Sequence, residues 1–373
     1  MSKTVKIGIV GTSWWVDAMY LPPLDSYESA EVVAICGRNR ERAEARAAQW
    51  NIPHVFTDFR EMLASGLFEA VIIATGNETH HAITMAALEN DLHVLCEKPL
   101  ALNYADSAEM TATAAAKNRI TMTPFTYRNM PSTRYIKELI NDGFIGQPYH
   151  LHLRYYAGYG RDGSEYNWRF DNDVAGSGAL GDIASHFLHL AEWFYGEVDA
   201  VCSNLGAFIE RPALNPKGEP YTQGDDTAML MLRFKNGAHG MVHATTLAYE
   251  NTAFGQQHEM DLHGSNGTLR QIIDWNARQQ IMGGRVGEET VRELPIPEHI
   301  WGNLRRENVI ETYKDVFRKE GRMVREFVDA VRDGISAESD FAAGARVQAM
   351  LEAALQSAKT GAWVSLAEIT ESK

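Results

Sequence analysis

Val5-Lys6-Ile7-Gly8-Ile9-Val10-Gly11-Thr12-Ser13-Trp14-Trp15-Val16 reads as a short apolar strand delivered into a glycine-bearing turn, and this stretch decides the fold. At a strand-to-helix turn a glycine lets a pyrophosphate approach the backbone, and the helix N-terminus supplies N–H groups aimed at it. With Gly11 as the first fingerprint glycine, Ser13 stands at the second position and Val16 at the third, so strand context carries more of the reading than the letters do. Ser13 is small enough for close approach, and its hydroxyl can donate to phosphate. Trp14 or Trp15 either walls a cofactor or substrate or packs the helix onto the sheet, and both readings stay open. Gly11, Thr12, Ser13, Trp14 and Trp15 are the first cofactor-binding candidates.

Outward from this turn, apolar runs at 32–36, 70–74, His93–Cys96 and 120–122 read as further strands, separated by helical patterns such as 40–49 and the recurrence of Ala82, Met85, Ala86 and Leu88. Alternating strands and helices imply an α/β, doubly wound parallel sheet, the Rossmann arrangement, over residues 1–124. From about 147 the texture changes to alternating, aromatic-rich runs at 149–156, Thr227–Phe234, 239–247 and 258–263, which suit an antiparallel or mixed sheet. Residues 125–373 are therefore expected to form a second, α+β domain. Asn236-Gly237 predicts a two-residue hairpin turn, 205–225 a long loop, and 323–332 and 342–359 helices over the sheet face.

Two strand ends carry the chemistry. Ala74-Thr75-Gly76-Asn77-Glu78-Thr79-His80 and Val94-Leu95-Cys96-Glu97-Lys98-Pro99 both reach the carboxyl edge of the sheet, where open α/β sheets bind ligands. Thr75, Gly76, Asn77, His80, Glu97 and Lys98 join the cofactor-binding candidates. Lys98 follows a buried strand and precedes a proline, which holds its ammonium near a nicotinamide; desolvation and the positive ring favour the neutral amine and suit proton transfer with a hydroxyl. In Ile35-Cys36-Gly37-Arg38-Asn39-Arg40 no carboxylate stands where an NAD enzyme holds its ribose hydroxyls. Gly37 leaves room for a 2′-phosphate and Arg38, with Arg40 or Arg42, can bind it, so the reading leans to NADP over NAD; the alternative is a solvated helix start.

In the second half, Gly176-Ser177-Gly178-Ala179-Leu180-Gly181 leads into Asp182, His186, His189 and Trp193 on one helical stripe beside a core stripe of Ile183, Phe187, Leu190 and Phe194. A carboxylate beside a histidine can orient a hydroxyl and shuttle its proton. Neither His80-His81 nor His186 with His189 has a carboxylate or cysteine at zinc-like spacing, so no metal site is expected.

Composition excludes other classes. Hydrophobic residues at 45% with 23% charged residues make a folded chain, long enough at 373 residues for two cores. Thirty-five basic against 49 acidic residues, a net charge of −14, argue against nucleic acid and anionic membrane as partners. The start, Met1-Ser2-Lys3-Thr4-Val5-Lys6, lacks a secretory apolar region, and three widely spaced cysteines, Cys36, Cys96 and Cys202, read as reduced thiols, so a cytoplasmic protein is expected.

Glu97-Lys98-Pro99, Asn77 with His80, Arg128 with Pro131, Trp168-Arg169, Gly176 to His186 and the tail Arg346 to Gly361 together resemble the Gfo/Idh/MocA family, named for glucose-fructose oxidoreductase, inositol dehydrogenase and rhizopine catabolism proteins. The resemblance covers nearly the whole chain. It implies a Rossmann domain followed by a large open, mostly antiparallel sheet used for dimer or tetramer contacts, and a catalytic set of Lys98, Asp182 and His186. His186 would be the acid/base, assisted by Lys98, with Asp182 orienting substrate. Arg128, Tyr156, Trp168, Arg169, Asp182 and His186 would bind that substrate. Departures are Ser13, Val16, Gly76 where a proline is usual, and the missing acid at position 37. The leading expectation is an NAD(P)-dependent dehydrogenase of a sugar, inositol or related polyol. An NAD-dependent glycosidase without net redox and a non-catalytic NAD(P)-binding regulator are the alternatives.

Overall fold

The computed structural model describes residues 4–249, 256–275 and 277–371; Met1-Ser2-Lys3, read above for a leader, lies outside them. The chain packs as two compact units, one comprising the residues up to Phe125 with Lys314–Gln348, the other Thr126–Tyr313 with the residues from Ala349 onward. The segment 314–348 thus returns to the first unit, where a single division at 124/125 does not place it. It does so because the helix Arg322–Asp333 finds its polar partners there: the Tyr27 hydroxyl donates to Asp329 at 2.5 Å, and Arg325 donates to the Pro23 carbonyl at 3.1 Å.

The first unit holds a six-stranded parallel sheet of β1 (Val5–Val10), β2 (Ala30–Cys36), β3 (His54–Phe56), β4 (Ala70–Ile73), β5 (His93–Cys96) and β6 (Thr121–Met122), in the order β3-β2-β1-β4-β5-β6. Helices cover both faces of such a sheet, so its strands are apolar almost without alternation: Ile7, Ile9, Val71, Ile72 and Val94 are fully buried, each worth about 1.5–3 kcal/mol. β3, three residues long with an exposed first position, has no periodic signal and is absent from the sequence reading. The order reverses between β1 and β4, and ligands bind such sheets in the crevice at the carboxyl ends of the strands at that reversal.

In the second unit nine strands form one mixed sheet: β7 (Pro148–Tyr156), β8 (Val198–Gly206), β9 (Thr227–Phe234), β10 (His239–Thr245), β11 (Gln257–Gly264), β12 (Gly267–Asp274), β13 (Gln279–Arg285), β14 (Arg292–Glu293) and β15 (Val364–Ser365), ordered β14-β13-β12-β11-β7-β10-β9-β8-β15. β7 and β10 run parallel, and every other neighbouring pair is antiparallel. Strict alternation along β9 buries Ala228, Leu230, Leu232 and Phe234 and exposes Met229 and Met231. The helix Ser185–Tyr195 lies on the buried face, where the Tyr195 hydroxyl donates to the carbonyls of His150 and His263, both at 2.9 Å.

The β9–β10 hairpin corrects the expected two-residue turn. Arg233 pairs with His239, and Phe234 N–H donates to Ala238 O at 3.0 Å, which leaves three residues in the loop. Gly237, at φ 88°, supplies the left-handed position that a three-residue loop requires. Of the tail helices, Phe341–Thr360 splits between the units; its later turns meet β8 through Ser357, whose hydroxyl accepts from Ser203 N–H at 2.9 Å. Among the described residues no helix is long and apolar enough to cross a membrane.

Candidate active site

In the first unit, Gly11 takes φ 134°, and a Cβ there would stand 2.3 Å from the Ala74 carbonyl oxygen, so only glycine fits. The helix begins at Trp14 and passes through a π turn, Val16–Tyr20. Gly11, Thr12 and Ser13 therefore form the connection between a buried strand and a helix N-terminus, as a dinucleotide requires. Trp14 is 61% exposed and meets Trp15 edge-on at 5.3 Å. Trp15 is pinned: its indole N–H donates to Glu97 Oε1 at 2.6 Å, and the buried Tyr20 hydroxyl donates to the same oxygen at 2.6 Å.

Glu97 is buried, and burial pushes its carboxyl above the usual range, against the pull of the Tyr20 hydrogen bond and the Lys98 ammonium. Its other oxygen accepts the Lys98 backbone N–H at 3.1 Å. His80 is fully buried, and its Nδ1 faces the Pro99 carbonyl at 2.9 Å; as a donor to that oxygen the ring is the Nδ1-protonated, neutral tautomer. Burial lowers its pKa to about 4. His80 thus supports the backbone just past Lys98 rather than presenting a ring to solvent. Asn77 is buried, and Thr75 accepts from the Thr79 hydroxyl at 2.7 Å, which fixes the turn at Gly76.

At the end of β2, Gly37 faces Thr12: a Cβ at Gly37 would stand 2.5 Å from Thr12 Cγ2. Arg38 is exposed beyond it. Asn39 caps the helix Arg40–Trp50 by accepting Arg42 N–H at 2.8 Å, and Arg40 pairs with Glu44 at 3.4 Å.

In the second unit, Asp182 sits on a π turn, Leu180–Ala184, that feeds the helix carrying His186. π turns recur at functional sites because the extra residue re-aims a side chain. Asp182 Oδ2 accepts the Tyr159 hydroxyl at 2.5 Å and Arg169 Nε–H at 3.2 Å, and the Arg169 guanidinium lies over the Trp168 ring at 4.7 Å. Tyr159 is 37% exposed, yet its hydroxyl end is desolvated; this, with the Asp182 charge beside it, drives the phenol far above its ordinary range and keeps it a donor. His186 packs against the Tyr127 ring at 4.8 Å, and the Tyr127 hydroxyl shares a 2.7 Å hydrogen bond with that of Tyr155. Arg128 is buried over the Trp193 ring at 5.3 Å.

Tyr156 is a correction. Along β7 the side chains alternate, so Tyr155 faces Tyr127, Phe187 and the Asp182 helix, while Tyr156 points off the other face, where its hydroxyl meets His243 Nδ1 at 2.8 Å. Tyr155 takes its place in the candidate set. Sequence reading also missed Tyr159, Tyr127 and Asp225. Tyr159, in Ala157-Gly158-Tyr159-Gly160, was signalled only by an aromatic between glycines beyond a strand end. Asp225 is buried and accepts N–H groups of Gly178 and Leu180 at 2.9 and 2.8 Å, which fixes the turn before Asp182; burial raises its pKa to about 6. Gly178 is obligatory there, since a Cβ would lie 1.8 Å from the Asp225 carbonyl oxygen. Among the described residues no group of His, Cys, Asp and Glu side chains could hold a metal ion.

Residues 5–125 match an oxidoreductase family's NAD-binding Rossmann fold, and residues 137–366 match that family's C-terminal alpha/beta domain. The chain is 28% identical to the levoglucosan dehydrogenase of Pseudarthrobacter phenanthrenivorans over 99% of its own length and 100% of that protein's. A levoglucosan dehydrogenase solved with NADH and levoglucosan superposes with a TM-score of 0.86 at 28% identity, covering 98% of this chain and 100% of that one. The scyllo-inositol 2-dehydrogenase (NADP(+)) of Bacillus subtilis is 30% identical over 54% of this chain and 61% of its own. The glycine turn at a doubly wound sheet edge and the braced Asp182 of the second unit thus stand within two matched domains, and the chain belongs to the Gfo/Idh/MocA family of NAD-binding oxidoreductases.

Proposed function

We propose that this oxidoreductase is an NADP-preferring dehydrogenase of a sugar, inositol or related polyol, with Lys98, Asp182 and His186 as its catalytic set. The observation that carries the reading is Asp182, one of whose oxygens accepts from a phenol and a guanidinium; on this reading that bracing orients it for a substrate hydroxyl. The matched relatives that act on sugars and inositol support it. The Gly11 turn, with Thr12, Ser13, Trp14, Trp15, Thr75, Gly76, Asn77 and Glu97 around the strand ends, fits a dinucleotide, which when bound supplies the hydride acceptor or donor. In the oxidising direction His186 takes the proton of the substrate hydroxyl. Lys98 stabilises charge developing on that oxygen. Arg128, Tyr155, Trp168 and Arg169 bind substrate, aromatic faces suiting carbohydrate rings. We place the enzyme in the cytoplasm, in keeping with its free cysteines, and as a homodimer or homotetramer joined through the open sheet face, where Met229, Met231 and Met241 are exposed.

Reduction of NADP or NAD by the purified protein across a panel of sugars, inositols and glycosides tests this. Sugar released from a glycoside without net reduction would favour the glycosidase reading, and tight nucleotide binding with no turnover the regulator. Cofactor choice has its own test. Arg38→Ala is expected to weaken NADPH about 10- to 100-fold, the loss of one charge-assisted phosphate contact, and to leave NADH nearly unchanged in fluorescence titrations. Equal effects on both would remove Arg38 from the site.

A further inference from the structure

The loop 207–226 contains a cation that a surface loop does not need. Arg211 and Asp226 are both buried, with Arg211 Nη2 standing 2.6 Å from Asp226 Oδ1. A buried ion pair is weak evidence for stability, because desolvation offsets most of the attraction, so its geometry has to account for its presence. That geometry runs to Asp182 by two short routes. Arg211 Nη2–H donates to the Gly160 carbonyl at 2.9 Å, one residue beyond Tyr159, and the guanidinium lies 3.6 Å over the ring of Phe170, one residue beyond Arg169. Tyr159 and Arg169 both donate to Asp182 Oδ2.

The neighbouring carboxylates complete the arrangement. Asp226 Oδ2 accepts the N–H groups of Phe208 and Ile209 at 2.6 and 2.9 Å, closing the loop from which Arg211 projects. Asp225 grips Gly178 and Leu180, the backbone leading into the Asp182 turn. Two consecutive aspartates at the entry to β9 therefore fix, one directly and one through Arg211, the three segments that meet at one oxygen.

We infer that Arg211, locked by Asp226, is a positioning residue that holds Tyr159 and Arg169 on Asp182. The inference rests on Asp182 acting on substrate, as proposed above. An orienting carboxylate displaced by about 1 Å loses about 100-fold in rate, which gives a remote clamp kinetic weight.

Removing one partner alone would strand a buried charge, so the test uses the neutral pair Arg211→Met with Asp226→Asn. The double variant is expected to fold, with wild-type far-UV dichroism and NADPH affinity. In its crystal structure Tyr159 and Arg169 should stand beyond about 3.5 Å from Asp182. kcat should fall about 10- to 100-fold, and the loss should vanish in an Asp182→Asn background, since residues acting through one group are not additive. A folded variant that keeps both contacts to Asp182, or a loss that adds in full to that of Asp182→Asn, overturns the inference. Should the double variant not fold, Arg211→Lys, which keeps the charge beside Asp226 but not the planar fork, is read by the same separations. If the wild-type enzyme turns over no sugar or polyol, the proposed function fails, and those separations still decide the clamp.

Discussion

Lys98→Ala is expected to lower kcat about 10³-fold while leaving NAD(P)H affinity within about threefold and the melting temperature nearly unchanged. The lysine is set in place from both sides. Before it, Glu97 is fixed by the Trp15 indole and the Tyr20 hydroxyl, and after it the Pro99 carbonyl faces buried His80. These hydrogen bonds end on Glu97, His80 and the backbone, so truncation removes the ammonium and its pull on the Glu97 carboxyl but leaves the bonds in place. The supports also predict a graded series. Trp15→Phe leaves the Tyr20 and Lys98 N–H bonds to hold Glu97 and should cost about tenfold in kcat, far less than removal of Lys98 itself, because one of three hydrogen bonds to a buried carboxylate is lost. Steady-state kinetics with fluorescence titration of the nucleotide separates the two effects. Lys98→Ala keeping more than a tenth of wild-type turnover would remove the residue from the catalytic set.

The parts of this molecule that were legible in the sequence are those whose signal is local. The strand runs Val5–Val10, His93–Cys96 and Thr227–Phe234 have their expected bounds, because continuous apolar stretches and strict alternation both report burial directly. The Asp182–His186 segment was legible as a helix, but not its π turn, since the extra residue is imposed by packing and by the Asp225 carboxylate rather than by propensity. The slip from Tyr155 to Tyr156 has the same origin: one position of register decides which face a strand residue serves, and adjacent tyrosines carry no information on which is which. Arg211, Asp225 and Asp226 were invisible for a different reason. In sequence they belong to a loop with three prolines, and their worth arises only when non-local partners, Gly160, Phe170 and Gly178, close around them. The same limit hid the return of 314–348 to the first unit, which is a matter of which surface an amphipathic helix meets.

Acid should destabilise the protein from above the ordinary carboxylate range, and two buried histidines set that range. His80 is held neutral by burial down to about pH 4, and His258 down to about pH 3, packed among the rings of Tyr127, Tyr155, Phe187 and Trp275. In the unfolded chain both titrate near 6.5. Their folded pKa values are depressed, so the unfolded state binds more protons as pH falls below about 6.5, and stability present above that value is lost on the way down to the folded pKa. Integrated over these ranges the loss is about 3 kcal/mol for His80 and roughly 5 kcal/mol for His258. Asp225 works in the opposite direction: its folded pKa of about 6 lies above the unfolded value, so its ionisation opposes folding at neutral pH, and protonation between pH 6 and about 4 returns some 3 kcal/mol. Stability should therefore fall by a few kcal/mol between pH 6.5 and 4 instead of by the full histidine sum. Urea unfolding at pH 7, 5.5 and 4.5 measures it, and His258→Phe, which keeps an aromatic ring and deletes the titration, should flatten the decline by about 2–3 kcal/mol over that interval. The same slope in wild type and variant would mean that His258 takes up its proton in the folded state, and its ring would then have a partner among Tyr127 and Tyr155 rather than a purely apolar seat.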